Sequence, residues 1–167
     1  SPNMPNRKTA LNYVGLCLLE GTTLSEGRGT DMPFKVLGAP FINSEKLLDA
    51  MLPFLNQNDV IDTVSFIPRS LTGKSAHPKY QDKLCHGLKV IHLKNPINWT
   101  IHLFETLNFL YPDKFKFLES NFIDKLYGSN ILRLTINKGE NASQLIARWQ
   151  EDEKNFRRMR VTYDLYP

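Results

Sequence analysis

The chain has 167 residues, of which 41% are hydrophobic and 23% are charged, and its formal net charge is +4. These values indicate one globular domain that is long enough to bury a core, with a charge too small to demand an anionic partner. No apolar run is long enough to cross a bilayer, so a membrane span is excluded, and no feature predicts a nucleic-acid partner. The sequence begins at Ser1 without an initiator methionine. We therefore expect a fragment or a processed chain, and the missing signal peptide does not indicate a compartment.

Helices and strands are mixed along the first two thirds of the chain. Thr9 is expected to cap a helix that runs through Leu19, with Leu11, Val14 and Leu18 on its apolar face. The elements predicted after this helix are, in chain order, an extended run at 34–42, a helix capped by Ser44, strands at 60–67 and 88–93, and a helix from Asn98 that Pro112 stops.

The last third is predicted to be helical. Segments 121–127 and 130–138 are each followed by a glycine, which is typical of a helix C-terminus. The second segment also alternates like a strand, and its ending of Lys138 and Gly139 favours the helix. The final helix begins near Ser143, and we interpret its apolar stripe as core packing: Leu145, Ile146, Trp149, Phe156 and Met159. The whole pattern predicts an α/β fold, a single domain in which a small mixed sheet packs against several helices.

Residues 18–30, here called the polar loop, carry the densest polar chemistry in the chain. The loop contains the carboxylates Glu20 and Glu26, the guanidinium of Arg28 and three glycines. Such a segment cannot order itself by burying apolar side chains. It is either a flexible, solvated connection or a functional loop, because loops on a packed scaffold commonly carry binding and catalytic groups. A second polar connection, between Pro68 and Gly87, is long enough to raise the same two alternatives.

Several kinds of site lack support in the sequence. The glycine-rich phosphate-binding motifs are absent, and the four histidines have no metal-ligand spacing. We therefore expect no cofactor and no metal. Cys17 and Cys85 fit neither a disulfide framework nor a zinc site, and we interpret both as buried thiols.

The polar loop and several short motifs resemble those of a known family. The combined Glu-Gly-Thr and Ser-Glu-Gly-Arg-Gly-Thr motif in the loop is similar to that of the NamZ-type exo-β-N-acetylmuramidases, a bacterial family. Thr23 stands where the family often has asparagine. Similar segments cover nearly the whole chain, at 1–5, 9–11, 17–22, 24–30, 33–34, 38–40, 78–80, 85, 87, 110–112 and 147–150.

The resemblance implies a two-domain peptidoglycan hydrolase. Members of the family remove N-acetylmuramic acid from the non-reducing end of peptidoglycan fragments, in a cleft between a Rossmann-like N-terminal half and a smaller C-terminal half. Residues 1–167 match only the C-terminal half, so an N-terminal half of the same protein is an expected partner. Peptidoglycan-derived sugars are the expected substrates, in a periplasmic or exported bacterial setting.

The resemblance also gives the polar loop a chemical role. Glu20 and Glu26 are the candidate catalytic residues, because glycosidases use a carboxylic acid and a carboxylate flanking the scissile bond. Alternatively, both accept hydrogen bonds from substrate hydroxyls, and the main catalytic carboxylate belongs to the other half. Arg28 is a candidate to bind the lactyl carboxylate of muramic acid, or to hold the loop by pairing with a glutamate. The other candidate substrate-binding residues are Thr22, Ser25, Thr30, Lys79 and Tyr80.

Two functions from different classes remain open from the sequence. The first is the C-terminal part of an exo-acting glycoside hydrolase of the cell wall. The alternative is a non-catalytic module that binds carbohydrate or a protein partner. Whether the hydrolase retains or inverts configuration depends on the separation of two carboxylates in the assembled cleft.

Overall fold

A computed structural model describes residues 3, 4 and 6–164 of the chain. Its helices and strands are, in chain order, α1 (Arg7–Leu16), β1 (Val36–Ala39), α2 (Ser44–Met51), β2 (Val60–Phe66), β3 (Cys85–His92), α3 (Pro96–Leu110), α4 (Phe122–Tyr127), α5 (Ile131–Asn137) and α6 (Ala142–Arg160). Short 3₁₀ turns follow α1, α2 and α6, at Cys17–Gly21, Leu52–Phe54 and Val161–Tyr163. These elements confirm the predicted α/β domain. None of the described helices combines the length and the apolar character that a bilayer span requires.

The sheet has three strands in the order β1-β3-β2, and both pairings are antiparallel, so the sheet is small as predicted but is not mixed. The central strand β3 buries Leu88 and Val90 completely beneath the helices. Gly38 and Gly87 lie opposite each other, and a side chain on Gly87 would overlap the backbone of β1. This pair of glycines therefore lets β1 lie close against the centre of the sheet.

The main core lies between the sheet and the first three helices. Helix α3 is its centre, because Trp99 and Phe104 are both fully buried there and α1 and α2 pack against it. Helix α1 approaches α3 closely at Gly15, where an added Cβ would overlap the Pro96 carbonyl group. Helices α5 and α6 also pack on α3, whereas α4 packs against the 3₁₀ turn that follows α1. Helix α4 thus supports the beginning of the polar loop.

The predicted apolar face of α1 is wrong in part. Leu11 and Val14 are 48% and 54% exposed, whereas Asn12 and Gly15 are buried. The helix packs through its small and polar side because Gly15 allows close contact with α3 and the Asn12 side chain donates to the Val90 carbonyl oxygen at 3.2 Å. Apolar periodicity alone could not indicate this choice of face.

Two of the predicted helix caps are also wrong. Helix α1 begins at Arg7, and its N-cap is Asn6 instead of Thr9; the Asn6 side chain accepts from the Thr9 N–H. Helix α2 is capped by Asn43 instead of Ser44. Asn6 lies three residues before Thr9, and Asn43 lies one residue before Ser44. In both cases the asparagine side chain accepts a hydrogen bond from a backbone N–H of the first turn that has no partner within the helix.

The stripe on α6 is core packing only in its first half. Leu145 and Ile146 are buried and Trp149 is half-buried, in keeping with the prediction. Phe156 and Met159, however, are 57% and 58% exposed, because the second half of this 19-residue helix extends past the core. The ambiguous segment at 130–138 contains α5, so the helical interpretation of its glycine ending is confirmed.

Candidate functional site

The polar loop is packed into the domain. Its segments Gly21–Thr22 and Leu24–Gly27 are buried, and it pairs with neighbours on both sides. Thr22 forms a β-bridge with Phe117, and Ser25 forms one with Gly38 of β1. The flexible-connection alternative is therefore wrong, because the loop obtains its order from backbone hydrogen bonds to neighbouring segments.

Four charged side chains meet in this loop, and we call them the charge cluster: Glu20, Glu26, Arg28 and Lys79. The Nη2 atom of Arg28 donates to Glu20 Oε2 at 3.0 Å, and its Nε atom lies 3.5 Å from Glu26 Oε1. Lys79 reaches the cluster from the connection before β3, and its Nζ atom donates to Glu26 Oε2 at 3.1 Å. Two cations thus balance two carboxylates, and both oxygens of Glu26 face a cation.

The four side chains differ in their access to solvent. The Glu26 side chain is 6% exposed, whereas those of Glu20 and Arg28 are 21% and 30% exposed. Glu20 Oε1 and Arg28 Nη1 make no hydrogen bond with any residue that the structure describes, and neither is a buried atom. These two atoms are the polar atoms of the Glu20–Arg28 pair that remain available to a ligand. Arg28 Nε is buried and lacks a hydrogen-bond partner among the described residues.

Lys79 holds the backbone of the polar loop as well as Glu26. Its Nζ atom donates to the carbonyl oxygens of Leu19 at 2.9 Å, Leu24 at 2.8 Å and Glu20 at 3.3 Å. An ammonium group has three protons, and four acceptors surround this one. Lys79 therefore acts as a clamp on the loop, and direct sugar binding by its ammonium group stays a prediction.

The hydroxyl groups predicted to bind substrate are engaged with the backbone of the loop. Thr22 and Ser25 are buried and Thr30 is half-buried. The contacts are Thr22 Oγ1 to Leu19 O at 2.8 Å, Leu24 N to Thr22 Oγ1 at 3.1 Å, Gly27 N to Ser25 Oγ at 3.3 Å, Thr30 Oγ1 to Gly27 O at 2.7 Å and Met32 N to Thr30 Oγ1 at 3.0 Å. These bonds fix the turns that present the charge cluster, and a role in sugar binding stays a prediction.

Tyr80 follows Lys79 in the chain and packs against both groups of buried apolar side chains. Its half-buried ring packs on a small group of buried side chains that includes Val36, Phe66 and Cys85. Burial raises the pKa of the Tyr80 hydroxyl, with a smaller contribution from Cys85. Substrate binding by Tyr80 likewise stays a prediction.

Two aromatic residues next to the cluster were not among the predicted site residues. The Phe34 ring lies beneath the Arg28 guanidinium, with 5.1 Å between the Cζ atom and the ring centroid. Tyr13 of α1 meets the Phe34 ring edge-on at a centroid distance of 4.7 Å. Burial raises the pKa of the Tyr13 hydroxyl, and the nearby Glu20 charge raises it further. No spacing rule in the sequence connects these two residues with Arg28.

Both cysteines are free thiols. Cys85 is buried, and burial raises its pKa to about 11, so it stays protonated at neutral pH. Cys17 is half-buried, and burial followed by the Glu20 charge raises its pKa. Over the described parts of the chain, no three histidine, cysteine or acidic side chains lie close enough to hold a metal ion.

Comparison with known proteins shows the family to which this chain belongs. Residues 11–166 match the family model described as exo-beta-N-acetylmuramidase NamZ, C-terminal. The peptidoglycan beta-N-acetylmuramidase NamZ of Bacillus subtilis (strain 168) is 31% identical over 170 residues, which cover 99% of this chain and 39% of that protein.

Two solved structures of DUF1343 family proteins from Bacteroides fragilis NCTC 9343 are also similar. One is 33% identical, with a TM-score of 0.72 over 99% of this chain and 43% of its own. The other is 21% identical, with a TM-score of 0.84 over 100% of this chain and 44% of its own, and supports the fold alone. The chain thus spans less than half the length of each relative. Because the family match covers nearly all of its residues, the chain belongs to the family of NamZ C-terminal domains.

Proposed function

We propose that this chain forms one wall of the active cleft of an exo-acting glycoside hydrolase that releases N-acetylmuramic acid from the non-reducing end of peptidoglycan fragments. The observation that carries the proposal is the charge cluster, in which the partly exposed Glu20 carboxylate and Arg28 guanidinium form an ion pair at 3.0 Å. Family membership and the activity named for the Bacillus subtilis relative support it. The other wall is an N-terminal, Rossmann-like half of the same protein, in a periplasmic or exported setting.

The two carboxylates suit different tasks. Glu20 has a free oxygen at the surface, so it is the better candidate to contact the sugar, as a general acid or base or as an acceptor for a hydroxyl. Glu26 is nearly buried and held by Lys79 and Arg28, so it suits the positioning of those two cations. If the N-terminal half supplies the main catalytic carboxylate, Glu20 becomes a binding residue.

Arg28 suits recognition of the group that distinguishes muramic acid from glucosamine. That group is a lactyl ether with a carboxylate, and a guanidinium donates charge-assisted hydrogen bonds to such an anion. Nη1 is the donor that the rest of the cluster leaves free. The proposed contact therefore joins the lactyl carboxylate to Arg28 Nη1.

The second candidate function is a non-catalytic module that binds carbohydrate. One observation favours it: both carboxylates are already paired with cations inside this chain. Such pairing stabilises a fixed binding surface, because carboxylates that are held by cations of the same chain keep one geometry.

Turnover separates these two functions. The gene product that contains this chain together with its N-terminal half, and the 167-residue chain alone, are assayed on a chromogenic β-N-acetylmuramide. We expect turnover by the larger protein only. Glu20→Gln in the larger protein then lowers kcat by about 10²–10⁴-fold if Glu20 is the general acid or base, and by much less if it only binds the sugar. The exposed Glu119 supplies the control, since Glu119→Gln is expected to leave kcat unchanged. Absence of turnover by both proteins favours the binding module.

A further inference from the structure

We infer that Phe34 is a positioning residue for Arg28, which builds on the function proposed above. Its ring holds the flat face of the guanidinium, so that the Nη1 edge points toward the anionic group of the bound sugar. The backbone conformation of Phe34, the position of its ring and its burial each support this role.

The backbone of Phe34 is held in an unfavourable conformation. Its φ angle is 55°, in the left-handed region that bulky side chains avoid. Four non-glycine residues in the described chain have positive φ, and Phe34 is the fully buried one among Phe34, Tyr80, Asp82 and Asn121. Its N–H donates to the Glu26 carbonyl oxygen at 2.8 Å, which ties this conformation to the polar loop. Local strain of this kind persists where the surrounding structure enforces it, and it concentrates at functional sites.

The strained backbone places the ring between two partners. Arg28 lies over one face, and Tyr13 packs against the ring with an interplanar angle of 89°. Only 1% of Phe34 is exposed, so the ring cannot turn away into solvent. A cation over an aromatic face is attracted by the ring quadrupole, and the attraction increases as water is removed.

A guanidinium fixed by one face offers its edges for hydrogen bonds. Nη2 is used by Glu20 and Nε faces Glu26, which leaves Nη1 for an incoming anion. Without the ring beneath it, the Arg28 side chain regains other rotamers. In those rotamers Nη2 and Nε no longer face the two glutamates, and Nη1 no longer faces the incoming anion. A buried phenylalanine that served only to fill the core would have no such effect on the choice between two sugars.

The test uses the complete protein with Phe34→Leu, which keeps an apolar side chain and removes the ring. We expect the Kd for N-acetylmuramic acid to rise about tenfold, while that for N-acetylglucosamine changes less than about twofold. In NMR spectra, the Arg28 Nε–Hε signal is expected to lose its ring-current shift and to show that the side chain has become more mobile.

Phe115→Leu is the matched control, because it removes another buried ring that lies among other aromatic rings. It is expected to lower stability and to leave the ratio of the two sugar affinities unchanged.

A second variant keeps the inference testable if Phe34→Leu does not fold. Tyr13→Leu removes the edge-on contact with the Phe34 ring, and Tyr13 is only half-buried. We expect this variant to change the ratio of the two sugar affinities and the Arg28 signal in the same direction as Phe34→Leu, by a smaller amount. An Arg28 signal that stays as rigid as in the unsubstituted protein, or an equal loss of affinity for both sugars, overturns the positioning role. If neither sugar binds the unsubstituted protein but the Arg28 signal still responds to Phe34→Leu, the proposed function fails and the positioning of Arg28 by Phe34 stands.

Discussion

Arg28 joins two carboxylates and still presents one nitrogen to solvent, and its substitution tests which of these contacts matters for binding. Arg28→Lys keeps the positive charge and loses the planar fork, whereas Arg28→Ala loses both. We expect Arg28→Ala to weaken binding of N-acetylmuramic acid by about 1.5–3 kcal/mol and Arg28→Lys to weaken it by less. N-acetylglucosamine lacks the lactyl carboxylate, so its binding should change little. Calorimetric titration with both sugars measures the difference.

Thermal stability cannot separate the two roles of Arg28. Arg28→Ala leaves Glu20 and Glu26 with Lys79 as the remaining cation of the charge cluster, and Arg28→Lys loses the fork that reaches both carboxylates, so both variants are expected to unfold at lower temperature. The ratio of the two sugar affinities is the discriminating quantity. If both sugars lose affinity to the same extent, Arg28 holds the loop and does not recognise muramic acid.

Lys79 gives a second prediction at the scale of single residues, and this one concerns folding. Lys79→Met leaves three carbonyl oxygens and the nearly buried Glu26 carboxylate without their shared donor. We expect a loss of about 2–4 kcal/mol in the free energy of unfolding, measured by urea denaturation. Lys83 is the matched control, because it is an exposed lysine of the same connection, and Lys83→Met should cost little. Equal stability of the two variants would show that the clamp contributes nothing.

At the scale of elements, an ion pair joins α4 to α5. Arg133 donates to both oxygens of Asp124, from Nε at 2.9 Å and from Nη2 at 2.6 Å. The hydrogen bonds from Arg133 hold the pKa of Asp124 below its ordinary value of 3.8. The stabilisation is therefore complete above that ordinary value and is lost as pH falls through the lower pKa of the folded state.

The pH dependence of unfolding checks this pair. Asp124→Asn should be less stable than the unsubstituted protein at about pH 6, and the difference should be smaller at about pH 2, because protonation of the Asp124 carboxyl group weakens the ion pair as the pH falls below 3.8. Urea titrations at the two pH values give the comparison. A stability difference that stays the same at low pH would mean that the carboxylate charge is not its cause.

Local patterns predicted most elements because each depends on its own residues. Extended or β-rich runs marked β1, β2 and the second half of β3, and a glycine ending distinguished α5 from a strand. The packing face of α1 was not predictable in this way, because Gly15 and Asn12 owe their burial to α3 and β3. A periodicity rule has no information about which neighbour will approach.

The sequence indicated which charged residues form the site, but it did not indicate how they contact one another. Glu20, Glu26 and Arg28 are close in sequence, and their meeting follows from one short loop. Lys79 lies 53 residues beyond Glu26 and reaches it only through the folded connection before β3. The aromatic support from Phe34 depends on a left-handed backbone that no sequence pattern for phenylalanine indicates.

At the scale of the whole molecule, two separate segments build the charge cluster, and three neighbours brace it. The polar loop and the connection before β3 supply the charged side chains, and the Phe34 ring lies beneath Arg28. Gly21 packs closely on Ile123 of α4, and Ser25 pairs with Gly38 of β1. Our central claim is that this braced surface is one wall of a muramic acid cleft, completed by the N-terminal half.

A crystal structure of the complete protein with bound N-acetylmuramic acid tests this claim most directly. The account predicts a lactyl carboxylate oxygen about 2.7–2.9 Å from Arg28 Nη1, with Glu20 Oε1 facing the same sugar. The sugar is expected between the charge cluster and the N-terminal half. A sugar whose lactyl carboxylate binds elsewhere, with Arg28 and Glu20 contacting only each other, would contradict the claim.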